Sequence, residues 1–156
     1  HLTVQEHEAE GFYMQTAYRM PATPVQPGAA VRPAEMVPVT EMMVKSLITR
    51  PLEGAMLSGD TVQVEGVACT GEGEIVRVEV STDEGGHWSD AELVGERAPY
   101  AWRLWRYVWK GAMPGRHTLW SRATDSRGRT QPMTTPWNPS GYLWNAIDAV
   151  RIGITA

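Results

Sequence analysis

The chain has 156 residues and a mass of 17.3 kDa, enough for one domain with its own core. Hydrophobic residues make up 42% and charged residues 21%, a folded globular composition that excludes disorder over most of the length. A formal charge of −4 and a pI near 5.6 remove the electrostatic basis for nucleic-acid binding. The one cysteine, Cys69, excludes an internal disulfide or a cysteine-based metal cluster, and no run of about 18 apolar residues is present to span a membrane.

The chain starts at His1 with no signal-peptide pattern, so it reads as a processed or truncated piece of something longer. Residues 1–22 are polar and then mixed, and Pro21, Pro24, Pro27, Pro33 and Pro38 follow closely. That composition favours extended, polyproline-like backbone over helix. Residues 1–40 are therefore expected to form an extended arm that lies along another body, without a core of its own.

From Val39 the texture changes to short apolar runs separated by turn signals. Val62 and Val64 alternate with polar residues, and so do Val76, Val78 and Val80. This period of two marks half-buried strands. Asp83-Glu84-Gly85-Gly86 is a hairpin signal, Trp102–Trp109 reads as a strand, and Gly115 breaks the chain before a further strand over Thr118–Thr124. Asp125-Ser126-Arg127-Gly128 is a turn, and Ala146–Ile154 closes the chain with alternation at Val150, Ile152 and Ile154. About seven strands and no long helix predict an all-β fold, an immunoglobulin-like antiparallel β-sandwich over residues 41–156.

Seven Trp and five Tyr stand against one Phe, a balance favoured where surface is partly buried or meets a partner. The segment WRLWRYVW concentrates it. One face of that strand carries Trp102, Leu104, Arg106 and Val108, and the other carries Arg103, Trp105, Tyr107 and Trp109. Both faces being aromatic, one is expected to be covered by a second domain or subunit, with Trp120, Trp137 and Trp144 adding to the case.

Catalytic groups are sparse. His1, His7, His87 and His117 have no ligand at zinc-like spacing, and His7 among Glu6, Glu8 and Glu10 reads as a solvated acidic stretch. Cys69 reads as a small buried hydrophobe, and Gly71-Glu72-Gly73 as a turn rather than a phosphate loop. Asp83, Glu84 and Asp125 read as turn residues. The residues thus describe a binding or assembly module without a self-contained active site.

Five segments in order carry a family resemblance: VKSLITRP (44–51), VEGVACTGEGEIVRVEVSTDEGGHW (64–88), AWRLWRYVW (101–109), ATDSRGRTQP (123–132) and WNPSGYLWNAIDAVRI (137–152). Together they resemble the C-terminal domain of molybdenum-dependent sulfite oxidases and sulfite dehydrogenases, from Val44 onward. The resemblance implies an immunoglobulin-like domain that mediates homodimerisation and follows a catalytic domain. That catalytic domain holds a molybdenum–pyranopterin cofactor with a cysteine ligand, oxidises sulfite to sulfate and passes electrons to a haem, a cytochrome or oxygen. On this reading the 1–40 arm leaves the missing catalytic domain, and this chain holds no catalytic, cofactor or metal residues. Trp102, Arg103, Trp105, Arg106, Tyr107, Trp109, Trp137, Asn138 and Trp144 are the expected dimer or interdomain contacts. The bacterial relatives imply a periplasmic location.

Two departures bear on the parent's substrate. Ala9 stands where many family members carry a Tyr near the metal, two residues before Gly11-Phe12. Ser140 stands where the closing motif usually supplies an Arg, the natural bidentate grip for an oxyanion. The competing reading is an independent immunoglobulin-like module whose Trp and Tyr bind carbohydrate or protein.

Overall fold

The computed structural model describes residues 1–155. They form two compact units, residues 1–40 with 135–144, and residues 41–134 with the chain from 145 onward.

In the first unit, one helical turn, α1 (Phe12–Gln15), precedes two short strands, β1 (Arg19–Pro21) and β2 (Met36–Pro38). The strands pair antiparallel with Arg19 opposite Pro38 and Pro21 opposite Met36. The composition predicted purely extended backbone, yet the prolines accept this ribbon. Both strands of a two-stranded ribbon are edges, where a missing N–H need not break a ladder. Tyr18 stacks on Tyr142 at 5.4 Å between ring centroids, and the Tyr142 hydroxyl accepts a bond from the Tyr18 amide at 3.2 Å. Residues 135–144 therefore share this unit with the proline-rich segment, an association no local pattern announces.

The second unit is a β-sandwich. Its strands are β3 (Lys45–Arg50), β4 (Met56–Ser58), β5 (Thr61–Cys69), β6 (Ile75–Ser81), β7 (Ser89–Asp90), β8 (Glu92–Val94), β9 (Arg103–Lys110), β10 (Gly115–Asp125) and β11 (Ala149–Thr155). One sheet has the order β3-β5-β9-β8, and the other β4-β11-β10-β6-β7. Lettered from β3 in chain order, these are the A-B-E-D sheet and the C-F-G sheet of the immunoglobulin fold, with short strands added at the edges of the second. All pairings in the unit are antiparallel except β4 against β11.

The expected long strands are present. Gly115 opens β10 rather than preceding it, and the closing strand begins at Ala149, three residues after the expected start. Strands β4, β7 and β8 went unpredicted because two or three residues are too short to display a period.

The core lies between the sheets. Val62, Val64, Ala68 and Trp105 meet Val78, Val80, Leu119, Ala123, Ile152 and Ile154. Period-two alternation puts these residues on the inner faces of both sheets. A polar tie crosses between the sheets: the Ser46 hydroxyl on β3 and the Ser121 hydroxyl on β10 are hydrogen-bonded at 2.9 Å. The 81–87 hairpin is built as its sequence suggests. Asp83 accepts a bond from the His87 amide at 2.8 Å, pairs with the His87 ring at 2.6 Å and accepts from the Ser81 hydroxyl at 2.8 Å, and these hold its carboxyl below the usual range. Gly85 has φ +88°, and the Trp120 indole lies over it, so this position excludes a side chain twice over.

Candidate functional site

Strand β9 is the segment the sequence singled out, and burial splits it cleanly. Trp105, Tyr107 and Trp109 point inward. Trp105 is 1% exposed, which leaves it almost nothing to offer a partner. The aromatic-rich face of WRLWRYVW is therefore a wall of the domain's own core, because a sandwich strand must turn one face to the opposite sheet. Arg103 donates to the carbonyls of Val94 at 3.0 Å and Gly95 at 2.8 Å, which pins the chain leaving β8.

The outer face of the same sheet is where surface is available. Trp102, just before β9, is 53% exposed, and Leu104 and Val108 are about half exposed. Strand register lines up two rows across this face. Leu47 on β3, Val67 on β5, Leu104 on β9 and Val94 on β8 stand side by side as an apolar row. Arg50, Glu65, Arg106 and Glu92 form a row of alternating charge two residues along on β5, β9 and β8, and three on β3, where a register shift falls between Ile48 and Arg50. Arg106 meets Glu92 through two bonds of 2.8 and 3.1 Å, and this pairing holds the Glu92 carboxyl below its ordinary value.

The other expected contact residues lie in the first unit. Trp137 and Trp144 are exposed there. Asn138 closes the turn at 138–142: its side chain donates to the Tyr142 carbonyl at 2.8 Å and accepts from the Tyr142 amide at 3.1 Å. The nine residues picked from the sequence thus fall into three settings, an outer face (Trp102, Arg106), inner and stapling positions (Arg103, Trp105, Tyr107, Trp109) and the first unit (Trp137, Asn138, Trp144).

Three polar centres were not visible as such in the sequence. Glu79 on β6 is almost fully buried and is gripped by Arg122 at 2.8 and 3.0 Å and by Arg77 at 3.0 Å. The Arg122 guanidinium also sits 4.1 Å over the Trp88 ring. Asp125 is a turn residue as expected, but its carboxylate is buried. It receives the Arg129 side chain at 2.7 Å, the Thr70 hydroxyl at 3.1 Å and the amides of Arg127 and Arg129 at 3.0 Å each. Burial pushes this carboxyl up, and those bonds outweigh it, so it lies below its ordinary value. Gln131 is buried between the Ser46 amide, bonded at 2.7 Å, and the Ala146 carbonyl at 3.2 Å. The spacing of Glu79, Arg122 and Arg77 carried no signal, because β6 and β10 are brought together only by folding.

His117 bonds the Met113 carbonyl at 2.7 Å, and His87 bonds Asp83 at 2.6 Å, both within local turns. No three His, Cys, Asp or Glu side chains among the described residues are placed to hold a metal ion. Cys69 is buried at the end of β5, and burial pushes its thiol up.

A family model described as the Mo-co oxidoreductase dimerisation domain matches residues 36–155. The chain belongs to that family. The match takes in every strand from β2 to β11. The dimerisation domain is similar to mitochondrial sulfite oxidase of Mus musculus, 34% identical over 126 residues, covering 74% of this chain and 23% of that enzyme. It is similar to sulfite oxidase of Gallus gallus, 35% identical over 115 residues, covering 69% of this chain and 25% of that enzyme. Among solved structures it resembles the sulfane dehydrogenase SoxCD from Paracoccus pantotrophus, with a TM-score of 0.66 and 26% identity over 90% of this chain and 36% of that one. The chain spans about a quarter of the length of the two sulfite oxidases. No helix is long and apolar enough to cross a membrane, among the described residues. The segments that carried the resemblance have physical work in the dimerisation domain. VKSLITRP is β3 with its inter-sheet Ser46, and the TQP segment carries the buried Gln131.

Proposed function

We propose that this domain joins two copies of a sulfite-oxidase-like molybdenum enzyme into a homodimer. On this reading the parent oxidises sulfite or a related sulfur compound and passes the two electrons released to an acceptor such as a cytochrome. The observation that carries the reading is the family match over residues 36–155, on a sandwich of immunoglobulin topology. The proposal extends to the first unit, whose exposed Trp137 and Trp144 suit contact with the parent's own catalytic domain. It extends to a periplasmic location, for which the family resemblance is the support.

The residues of this chain do not fit the molybdenum group itself. Its one thiol is buried in a strand with a raised pKa, the opposite of an accessible thiolate ligand. The group accordingly belongs to another part of the parent protein. Ser140 and Ala9, both exposed in the first unit, offer no cationic grip on an oxyanion, which is why the substrate class is kept to sulfite or a related sulfur compound.

The experiment is metal analysis of the parent protein with a sulfite-dependent assay of cytochrome or dye reduction. About one molybdenum per chain with sulfite turnover is the expected result. A parent without molybdenum overturns the enzymatic reading. A chain that stays monomeric in sedimentation at high concentration overturns the dimeric one.

A further inference from the structure

From the outer face of the β3-β5-β9-β8 sheet we infer the geometry of the dimer: two copies pack this face against itself about a two-fold axis that runs parallel to the strands, between β5 and β9. The inference rests on the dimerisation reading and names the surface, the axis and the residue pairs.

The argument is one of symmetry and charge. A two-fold axis lying in the plane between two facing sheets, parallel to their strands, presents each sheet with its own strand order reversed. Strand β3 then faces β8 of the second copy, and β5 faces β9. The charged row reads Arg50, Glu65, Arg106, Glu92 across the four strands. Reversed, it reads Glu92, Arg106, Glu65, Arg50. Every position in the row therefore meets the opposite sign: Arg50 meets Glu92 of the second copy, and Glu65 meets its Arg106. With all four strands overlapped, a row of alternating signs is complementary to itself in this reversed order.

The neighbouring row agrees. Leu47 meets Val94 of the second copy, and Val67 meets its Leu104, so the half-buried apolar row is covered by its own reverse. Displacing the axis by half a strand spacing, onto β5, sets Glu65 against Glu65 and Arg50 against Arg106. That alternative is penalised by like charges, so the charged row fixes the alignment while the apolar row supplies contact. Glu65 and Arg106 flank the axis while Arg50 and Glu92 lie at the two edges of the sheet, and these charges act on register and specificity more than on affinity.

Two measurements on the 156-residue chain test this. In the first, sedimentation equilibrium compares the wild type with Glu65→Arg, Arg106→Glu and the double exchange. Each single variant sets like charges opposite one another twice, once on each side of the axis, and is expected to weaken the dimer by about tenfold or more. The double exchange restores opposite signs between copies, although it places like charges side by side at residues 50 and 65 and at residues 92 and 106 within each copy, and is expected to recover dimerisation relative to either single variant. Near-UV circular dichroism confirms that the single variants remain folded.

In the second, Leu47→Cys with Val94→Cys is made in a Cys69→Ala background and treated with a short bismaleimide, because facing residues of two packed sheets are about 10 Å apart, beyond the reach of a disulfide. Residues 47 and 94 lie three strands apart in one chain, about 14 Å, and the two single-cysteine chains are the controls. A covalent dimer forms only if β3 of one copy lies against β8 of the other. A wild-type dimer that is indifferent to Arg106→Glu and yields no cross-link overturns this geometry and leaves dimerisation by another face. A wild-type chain that never dimerises overturns the dimerisation reading with it.

Discussion

Gly66 and Trp105 face each other across the β5–β9 ladder, and the indole fills the space that a β-carbon at residue 66 would need. Such an atom would lie 2.2 Å from the ring and 2.2 Å from the Leu47 carbonyl oxygen on the other side. One neighbour is backbone and the other is a core ring, so neither yields easily. Gly66→Ala is expected to destabilise the domain by about 3 kcal/mol. Urea unfolding followed by Trp fluorescence measures it, and an unchanged midpoint would show that the indole has room to shift.

The same tryptophan carries a buried indole N–H with no bonding partner. Trp105→Phe removes that orphan donor along with some volume, whereas Trp105→Ala leaves a cavity. The alanine variant is expected to cost about 3–5 kcal/mol. The phenylalanine variant should cost well under half of that, because the loss of an unsatisfied donor offsets part of the lost packing. Equal losses in thermal unfolding would contradict this account.

Gln131 does for β3 what a ladder partner does elsewhere. Replacing it with Leu keeps the volume but strands the Ser46 amide and the Ala146 carbonyl in the interior. The expected loss is about 2–3 kcal/mol, the cost of buried polar groups left unpaired. Faster hydrogen exchange at the Ser46 amide is the local signature to look for.

Asp125 makes stability depend on acid. Its carboxyl lies below the ordinary value in the folded protein. The unfolded state therefore binds the proton first, and stability falls as pH drops from the ordinary aspartate value near 4 toward the lower folded one. Above that window the contribution is fully present. Asp125→Asn should lower the urea midpoint at pH 7 and bring it closer to wild type at pH 3. A constant gap between the two proteins at both pH values would assign the acid sensitivity elsewhere.

Cys69 should be slow to react. It is buried in β5 and its thiol is pushed up by burial, so both access and thiolate fraction are reduced. Titration with a disulfide reagent at pH 8 is expected to show one thiol that reacts at least about tenfold faster in urea than in the native protein. Prompt reaction in the native state would show that the end of β5 opens readily.

Much of this architecture was legible in the order of the residues. Alternation at Val62–Val64, Val76–Val80 and Val150–Ile154 marks strands because side-chain direction reverses at every residue, a property of the backbone alone. The hairpin at 81–87 was legible for the same reason, since Asp83 and Gly85 act on their immediate neighbours.

The sequence by itself determined the long strands of the sandwich, their turns and the immunoglobulin class, and the ordered segments determined the family. Tertiary structure alone decided which face of WRLWRYVW turns inward, because that depends on Val78, Leu119 and Ile152 arriving from strands distant in the chain. It alone aligned Arg50, Glu65, Arg106 and Glu92 into one row, buried Asp125 and Glu79 among their arginines, and joined residues 135–144 to the proline-rich segment. A local period says that a residue has two possible faces. Only the pairing of strands far apart in sequence, driven by the burial of one apolar face, chooses between them.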